Sequence, residues 1–85
     1  MQIEYHKDFK KQFKKLPSKI KLKFSERLEL FLQNPFHALL NIYPLKGEWV
    51  SQKSINITRD YRAIYLENVN KIIFLEIGTH SQLYE

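Results

Sequence analysis

Four residues in the second half of the chain have the types and spacing that phosphodiester chemistry needs. Asp60 and Arg62 lie two residues apart, and His80 and Tyr84 lie four apart in the closing segment GTHSQLYE. Histidine exchanges protons near neutral pH, arginine binds phosphate oxygens in pairs, and tyrosine can stack on a base. Together these groups could promote attack of a ribose 2′-hydroxyl on the neighbouring phosphorus, a reaction that does not itself require a metal.

The C-terminal half of the chain has the patterns of β-strands. Residues 53–58 alternate polar and apolar side chains, which predicts isoleucines facing inward and polar residues facing outward. Residues 61–66 and the apolar run 71–77 predict two further strands, with residues 67–70 as a hairpin loop. A short first strand is expected near residues 3–5.

Antiparallel pairing of these strands would bring the polar residues together. Arg62 would lie across from the end of the third strand, close to Gly78-Thr79-His80, with Asn56 on the adjoining strand, so that a guanidinium, an imidazole and a phenol could converge on an exposed sheet face. A structural alternative is that Arg62 is a surface cation paired with Asp60 or Glu76. In that case the closing segment would serve only for packing.

The first third of the chain has helical periodicity. Apolar residues recur every three or four positions from Phe9 to Ile20, and a proline interrupts the pattern. This predicts a helix near residues 8–15, with Asp8 as its N-cap, and a longer helix near residues 17–33. The fold class is therefore α+β, with a helical hairpin on one face of a twisted, mainly antiparallel sheet in the order β-α-α-β-β-β, with a further strand if residues 48–58 divide.

Length and charge limit the classes of protein that fit. The 85 residues predict one domain, residues 1–85, without cysteine and therefore without a disulfide framework. Residues 1–33 carry nine Lys/Arg against four Asp/Glu, whereas residues 34–85 carry five of each. The basic N-terminal third suggests a polyanionic partner. No metal-ligand spacing, signal peptide or bilayer-length apolar run is present, so a cytoplasmic protein without a cofactor is expected.

Several segments together resemble the RelE/ParE superfamily of type II toxins, in particular the YafQ-like branch of the RelE-type messenger-RNA interferases. The segments, in chain order, are FKKQFKKLP, YPLKGEW, DYRAIY and GTHSQLY. The resemblance implies an endoribonuclease that cuts messenger RNA in the ribosomal A site and thereby inhibits translation. It also implies a monomeric toxin held inactive in a complex with a cognate antitoxin.

The resemblance also assigns roles to the residues first singled out. His80 matches the catalytic histidine of the YafQ branch, and Tyr84 matches its C-terminal catalytic aromatic. Asp60 matches a functional aspartate of the branch, and Arg62 matches the arginine with which RelE contacts the scissile phosphate. These four residues are the expected catalytic set.

A second set is expected to bind RNA. Lys46 and Lys53 are candidates for lysines that RelE-type toxins use, and Tyr43 and Asn56 stand where the branch carries histidines. Three basic residues of the first helix complete the set: Lys10, Lys11 and Lys14. Two other functions remain open, because the same fold also serves ParE-like toxins that poison gyrase and could serve a degenerate toxin that only binds its partners.

Overall fold

A computed structural model describes residues 2–40, 42–44 and 52–84 of the chain. The described elements are, in order, β1 (Gln2–Tyr5), α1 (Lys7–Lys14), α2 (Ser18–Gln33), a short 3-10 helix (Ala38–Leu40), β2 (Tyr43–Pro44), β3 (Gln52–Asn56), β4 (Tyr61–Asn68), β5 (Lys71–Thr79) and α3 (His80–Tyr84). The predicted order β-α-α-β-β-β is confirmed, whereas β2 and α3 are elements that the sequence did not predict. A further strand within residues 48–51 would lie outside the described residues. None of the helices described here has the length and hydrophobicity to span a membrane.

The first two helices lie within one residue of their predicted bounds, but the first begins differently from the prediction. The N-cap of α1 is His6, whose Nδ1 accepts a hydrogen bond from the Asp8 backbone N–H at 3.1 Å. The prediction that Asp8 caps this helix is therefore wrong. Asp8 lies instead in the first turn, where its carboxylate interacts favourably with the helix dipole. Pro17 precedes α2, where its fixed φ suits the start of a helix.

Aromatic rings join the helices to the sheet. Phe74, in the middle of β5, is fully buried, and its ring is surrounded by four others. The ring centroids lie 5.2–5.9 Å apart, which is the range of favourable aromatic pairs: Phe24 at 5.2 Å, Phe9 at 5.6 Å, Tyr5 at 5.8 Å and Tyr65 at 5.9 Å. Both α1 and α2 are thus fixed to the same strand by apolar contacts.

The described strands form one sheet in the order β1-β5-β4-β3-β2. The pair β1 and β5 is parallel, because the helical hairpin carries the chain across, and the other pairs are antiparallel. This confirms the predicted helical hairpin on a mainly antiparallel sheet. The pairing of β4 with β5 continues to Asn68 and Lys71, so the turn between them is only two residues and the predicted loop 67–70 is too long.

The two faces of the sheet are both buried at the centre. The helix face, defined by Ile55 and Ala63, belongs to the core, and the opposite face is defined by Ser54, Arg62 and Ile64. Ser54 is 0% exposed, Ile64 2% and Arg62 6%. The expectation of an open, solvated sheet surface is therefore wrong at this point. The long side chain of Arg62 extends over Ser54, so the serine hydroxyl faces protein rather than water.

Candidate active site

Arg62 lies where three strands meet on the opposite face. Its partners across the sheet are Asn56 on β3 and Gly78 on β5, so the predicted juxtaposition is present. The guanidinium donates to the Ser54 hydroxyl from Nε at 3.2 Å and from Nη2 at 3.0 Å, and Nη2 also lies 3.4 Å from the Ser54 carbonyl oxygen. These bonds fix the plane of the guanidinium. A fixed cation of this kind is suited to stabilising charge on a phosphoryl group.

Ser54 is a site residue that the sequence did not identify. A polar residue on an alternating strand was expected to face solvent, yet this side chain accepts both hydrogen bonds from a buried cation. The sequence does indicate that Ser54 is near the site, because Ser54 lies two residues before Asn56 on β3 and therefore points to the same face of the sheet. The burial itself depends on Arg62, which is distant in sequence.

The closing segment turns back from β5 as a short helix. The Gln82 backbone N–H donates to Thr79 Oγ1 at 3.3 Å, and Gln82 Oε1 accepts from the Thr79 backbone N–H at 2.8 Å. These reciprocal bonds form a capping box, which satisfies two donors at the start of a helix. A Cβ placed on Gly78 would lie 2.7 Å from Gln82 Oε1. Gln82 therefore packs on Gly78, the residue that pairs with Arg62, while Gln82 and Leu83 also line a cavity with Leu16 and Ile77 beside the end of α1.

His80 and Asp60 meet at the same end of the sheet. The His80 backbone N–H donates to the Asp60 carbonyl oxygen at 3.1 Å, and both residues are exposed. The Asp60 turn is ordered by Thr58, whose Oγ1 accepts from the backbone N–H groups of Asp60 and Tyr61 at 3.3 and 3.2 Å. The structure therefore brings the backbone of the expected histidine and aspartate together, two residues from Arg62 on one strand and from Gly78 on the other.

The remaining expected residues divide between two regions. Tyr84 is the last residue of α3, one helical turn after His80. Tyr43 pairs with Ser54 across β2 and β3, beside the strand position of Asn56, which is partly buried. Lys46 lies outside the described residues.

Lys53 is not on the face that carries Arg62. It pairs with the core residue Tyr65, so it lies on the helix face, where its Nζ is 3.0 Å from Glu67 Oε1. Lys53, a candidate RNA-binding residue, therefore does not share a face of the sheet with Asn56 and Arg62. The physical reason is strand periodicity, since residues three apart, such as Lys53 and Asn56, point to opposite faces.

The lysines of α1 lie beside a groove between α1 and α2. The groove measures about 620 Å³, and its walls are apolar and aromatic, including Phe9, Phe24 and Leu28. Four lysines line it: Lys10, Lys11, Lys14 and Lys21. Lys21 Nζ lies 5.9 Å from the centre of the Phe13 ring, within cation–π distance. The groove is formed by the helices, and it lies on the side of the sheet away from Arg62.

Two tyrosines have shifted acidities. Burial raises the pKa of Tyr65 well above its usual value, and the nearby Glu67 carboxylate adds to the effect. Burial also raises the pKa of Tyr5. Tyr65 lies in the core, and Tyr5 stacks on Phe9 and Phe74 at its edge, so these shifts concern stability rather than the site. Among the described residues, no three His, Asp or Glu side chains are grouped so that they could hold a metal ion.

Comparison with known proteins identifies the family. The family described as "Bacterial toxin of type II toxin-antitoxin system, YafQ" matches residues 1–85. No curated protein sequence matches the chain significantly. Among solved structures, YafQ from E. coli strain BL21(DE3) superposes with a TM-score of 0.84 at 24% identity, covering 98% of this chain and 97% of that one.

Two further structures extend the comparison. YafQ in the E. coli DinJ–YafQ complex is 26% identical, with a TM-score of 0.76 over 98% of this chain and 97% of that one. The YoeB/ParE toxin from Agrobacterium tumefaciens is 18% identical, with a TM-score of 0.79 over 94% of this chain and 99% of that one. The latter shows the fold alone, whereas the family match extends over the whole sequence. The chain therefore belongs to the YafQ family of bacterial toxins of type II toxin–antitoxin systems.

Proposed function

We propose that the chain is a ribosome-dependent endoribonuclease that cleaves messenger RNA in the A site and so inhibits translation. The observation that carries this proposal is the placement of Arg62. Its guanidinium is fixed by Ser54, and its backbone pairs with Gly78, two residues before His80. A cation oriented in advance, on a strand whose neighbour leads directly into an exposed histidine, is suited to phosphoryl transfer.

The proposed step is transesterification within the RNA. The 2′-oxygen forms a bond to phosphorus as the bond from phosphorus to the 5′-oxygen breaks, which leaves a 2′,3′-cyclic phosphate and a 5′-hydroxyl. Arg62 binds the phosphoryl oxygens, on which charge accumulates. A base takes the proton of the 2′-hydroxyl, and an acid supplies one to the 5′-oxygen. His80 performs one of these transfers, and Asp60 and Tyr84 are the residues proposed to support it.

The test is cleavage of a defined message on purified ribosomes, with the cut ends mapped. We expect wild type to cut in the A site, and His80→Ala and Arg62→Ala to lose activity by roughly a hundredfold or more, the usual effect of removing one group that stabilises a transition state. Arg59→Ala is a matched control, because Arg59 is an exposed arginine in the turn between β3 and β4, three residues before Arg62. Absence of A-site cuts by wild type, or full activity of both site variants, would refute the proposal. Inhibition of gyrase supercoiling in place of cleavage would identify a ParE-like toxin.

We also propose that a cognate antitoxin binds the groove between α1 and α2. The solved E. coli complex contains YafQ together with DinJ. In this chain, an apolar floor edged by Lys10, Lys14 and Lys21 is complementary to an amphipathic helix whose polar side is acidic. In the absence of that partner, Lys10, Lys11 and Lys14 are available for the phosphates of ribosomal RNA.

A further inference from the structure

We propose that Gln82 is a positioning residue for the closing helix, and that the catalytic geometry of His80 depends on its side-chain carbonyl. This inference deepens the proposed function, because it assumes the role given there to the histidine. Gln82 itself is exposed and is not placed in contact with RNA.

The first observation is the length of α3. It has five residues, His80–Tyr84, which is little more than one turn. Isolated helices of this length are unstable in water, because forming the first turn orders several residues for a single hydrogen bond. The helix must therefore be held by contacts outside its own backbone ladder.

The second observation is that Gln82 supplies such contacts. Its Oε1 accepts from the Thr79 N–H at 2.8 Å, while Thr79 Oγ1 accepts from the Gln82 N–H at 3.3 Å. The two residues enclose His80, so the first helical residue is fixed between both halves of the capping box. The His80 N–H is bound separately to the Asp60 carbonyl oxygen, which ties the start of α3 to the β3–β4 turn.

The third observation is the close fit of Gln82 over Gly78. The space that a Cβ on Gly78 would occupy is filled by Gln82 Oε1, and Leu83 Cδ2 lies 3.6 Å from the same point. The side chain of Gln82 thus packs on Gly78, which is the residue of β5 that pairs with Arg62. It links the helix that carries the proposed acid–base residue to the strand that faces the proposed phosphate-binding residue.

Loss of this link should affect turnover more than binding. A capping interaction of this kind is worth roughly 2- to 30-fold in the equilibrium between the docked and undocked helix. Substrate would still reach Arg62 in the undocked state, but His80 would be displaced from the reacting atoms. We therefore expect kcat to fall while KM stays within about twofold.

The experiment compares three single variants of full-length toxin. Gln82→Ala removes the acceptor. Gln82→Glu keeps an oxygen at the same place and adds a negative charge that suits a helix N-terminus. Ser81→Ala is the matched control, because it changes an exposed neighbour in the same helix. For each protein, hydrogen exchange of the Thr79 amide is measured by NMR, and kcat and KM are measured in the ribosome assay.

The expected result is faster exchange of the Thr79 amide in Gln82→Ala, by roughly 2- to 30-fold. Its kcat falls with the docked population, Gln82→Glu restores both quantities, and Ser81→Ala resembles wild type. Unchanged exchange in Gln82→Ala would overturn the proposal, as would faster exchange with wild-type kcat. If wild type itself does not cleave, the proposed function fails and the catalytic part of this inference fails with it. The exchange data still decide separately whether Gln82 holds the helix.

Discussion

Replacement of Gly78 by alanine tests the packing at the centre of the proposed site. The added methyl carbon would lie 2.7 Å from Gln82 Oε1, a separation that real Cβ atoms essentially never show. The Gln82 side chain is flexible and can move, but its Oε1 then leaves the Thr79 N–H at 2.8 Å. The backbone of Gly78 is not in the left-handed region, so alanine brings no conformational strain of its own.

The expected magnitude follows from two opposing contributions. Loss of the capping interaction lowers the free energy of unfolding by about 1 kcal/mol. Replacing glycine by alanine in a compatible conformation raises it by about 0.4–1 kcal/mol, because the unfolded chain has fewer conformations. Gly78→Ala alone should therefore be neutral or destabilising by up to about 0.6 kcal/mol.

The effect of Gly78→Ala on the free energy of unfolding should change sign in a protein that already carries Gln82→Ala. The new methyl group then meets the Cβ of residue 82 at 3.5 Å, an ordinary contact, and no cap remains to be broken. In the Gln82→Ala background, Gly78→Ala should stabilise by about 0.4–1 kcal/mol. The two substitutions should thus be coupled by about 1 kcal/mol, well outside the error of additivity.

The measurement is a double-mutant cycle in urea, checked by thermal unfolding. For a domain of this size, 1 kcal/mol corresponds to a shift of roughly 4–8 °C in Tm. The wild type, both single variants and the double variant are compared at one pH and one salt concentration. If Gly78→Ala changes the free energy of unfolding equally in both backgrounds, to within about 0.5 kcal/mol, the capping bond of Gln82 does not require the absence of a side chain at Gly78.

Three further predictions concern the core and the groove. Phe74→Ala should destabilise the protein in urea by about 3–5 kcal/mol, because its ring is fully buried among four others, whereas Phe36→Ala, at a residue 93% exposed, should change stability by under about 0.5 kcal/mol. Because burial raises the pKa of Tyr65, the unfolded chain loses this phenolic proton first, so stability should fall as the pH rises above about 10. Tyr65→Phe should lose less stability than wild type between pH 8 and 11, and equal losses would contradict this. Lys21→Glu should weaken antitoxin binding in calorimetry by roughly three- to tenfold at low salt, and a similar loss in Lys19→Glu, outside the groove, would exclude a specific contact.

The strand register was predictable from the sequence. Short hairpins and an alternating apolar pattern leave few ways to align neighbouring strands, because a shift of one residue would bury the polar face. This reasoning placed Arg62 between Asn56 and Gly78, as the structure does. The same alternation predicts that Lys53 and Asn56, three residues apart, lie on opposite faces of the sheet, as they do in the structure.

The local supports of the site were harder to predict. The burial of Ser54 follows from the path of one long side chain from another strand, which strand patterns do not contain. The cap of α1 is the Nδ1 of His6, an atom that competes with the more usual aspartate at Asp8. The pair Thr79 and Gln82 does have capping-box spacing, but no long apolar helix follows it to draw attention to the signal.

The separation of basic residues between the two sides of the sheet limits how the proposed toxin can be inhibited. The lysine-lined groove is formed by α1 and α2, whereas Arg62 lies on the opposite face of the sheet, paired with the strand that leads into α3. A partner confined to the groove would neutralise Lys14 and Lys21 without touching the guanidinium. Such a partner would block cleavage by denying the lysines to ribosomal RNA, in which case the complex should lose its binding to ribosomes. Loss of A-site cleavage by a complex that still binds ribosomes would instead require a partner that also reaches α3, because His80 is carried there.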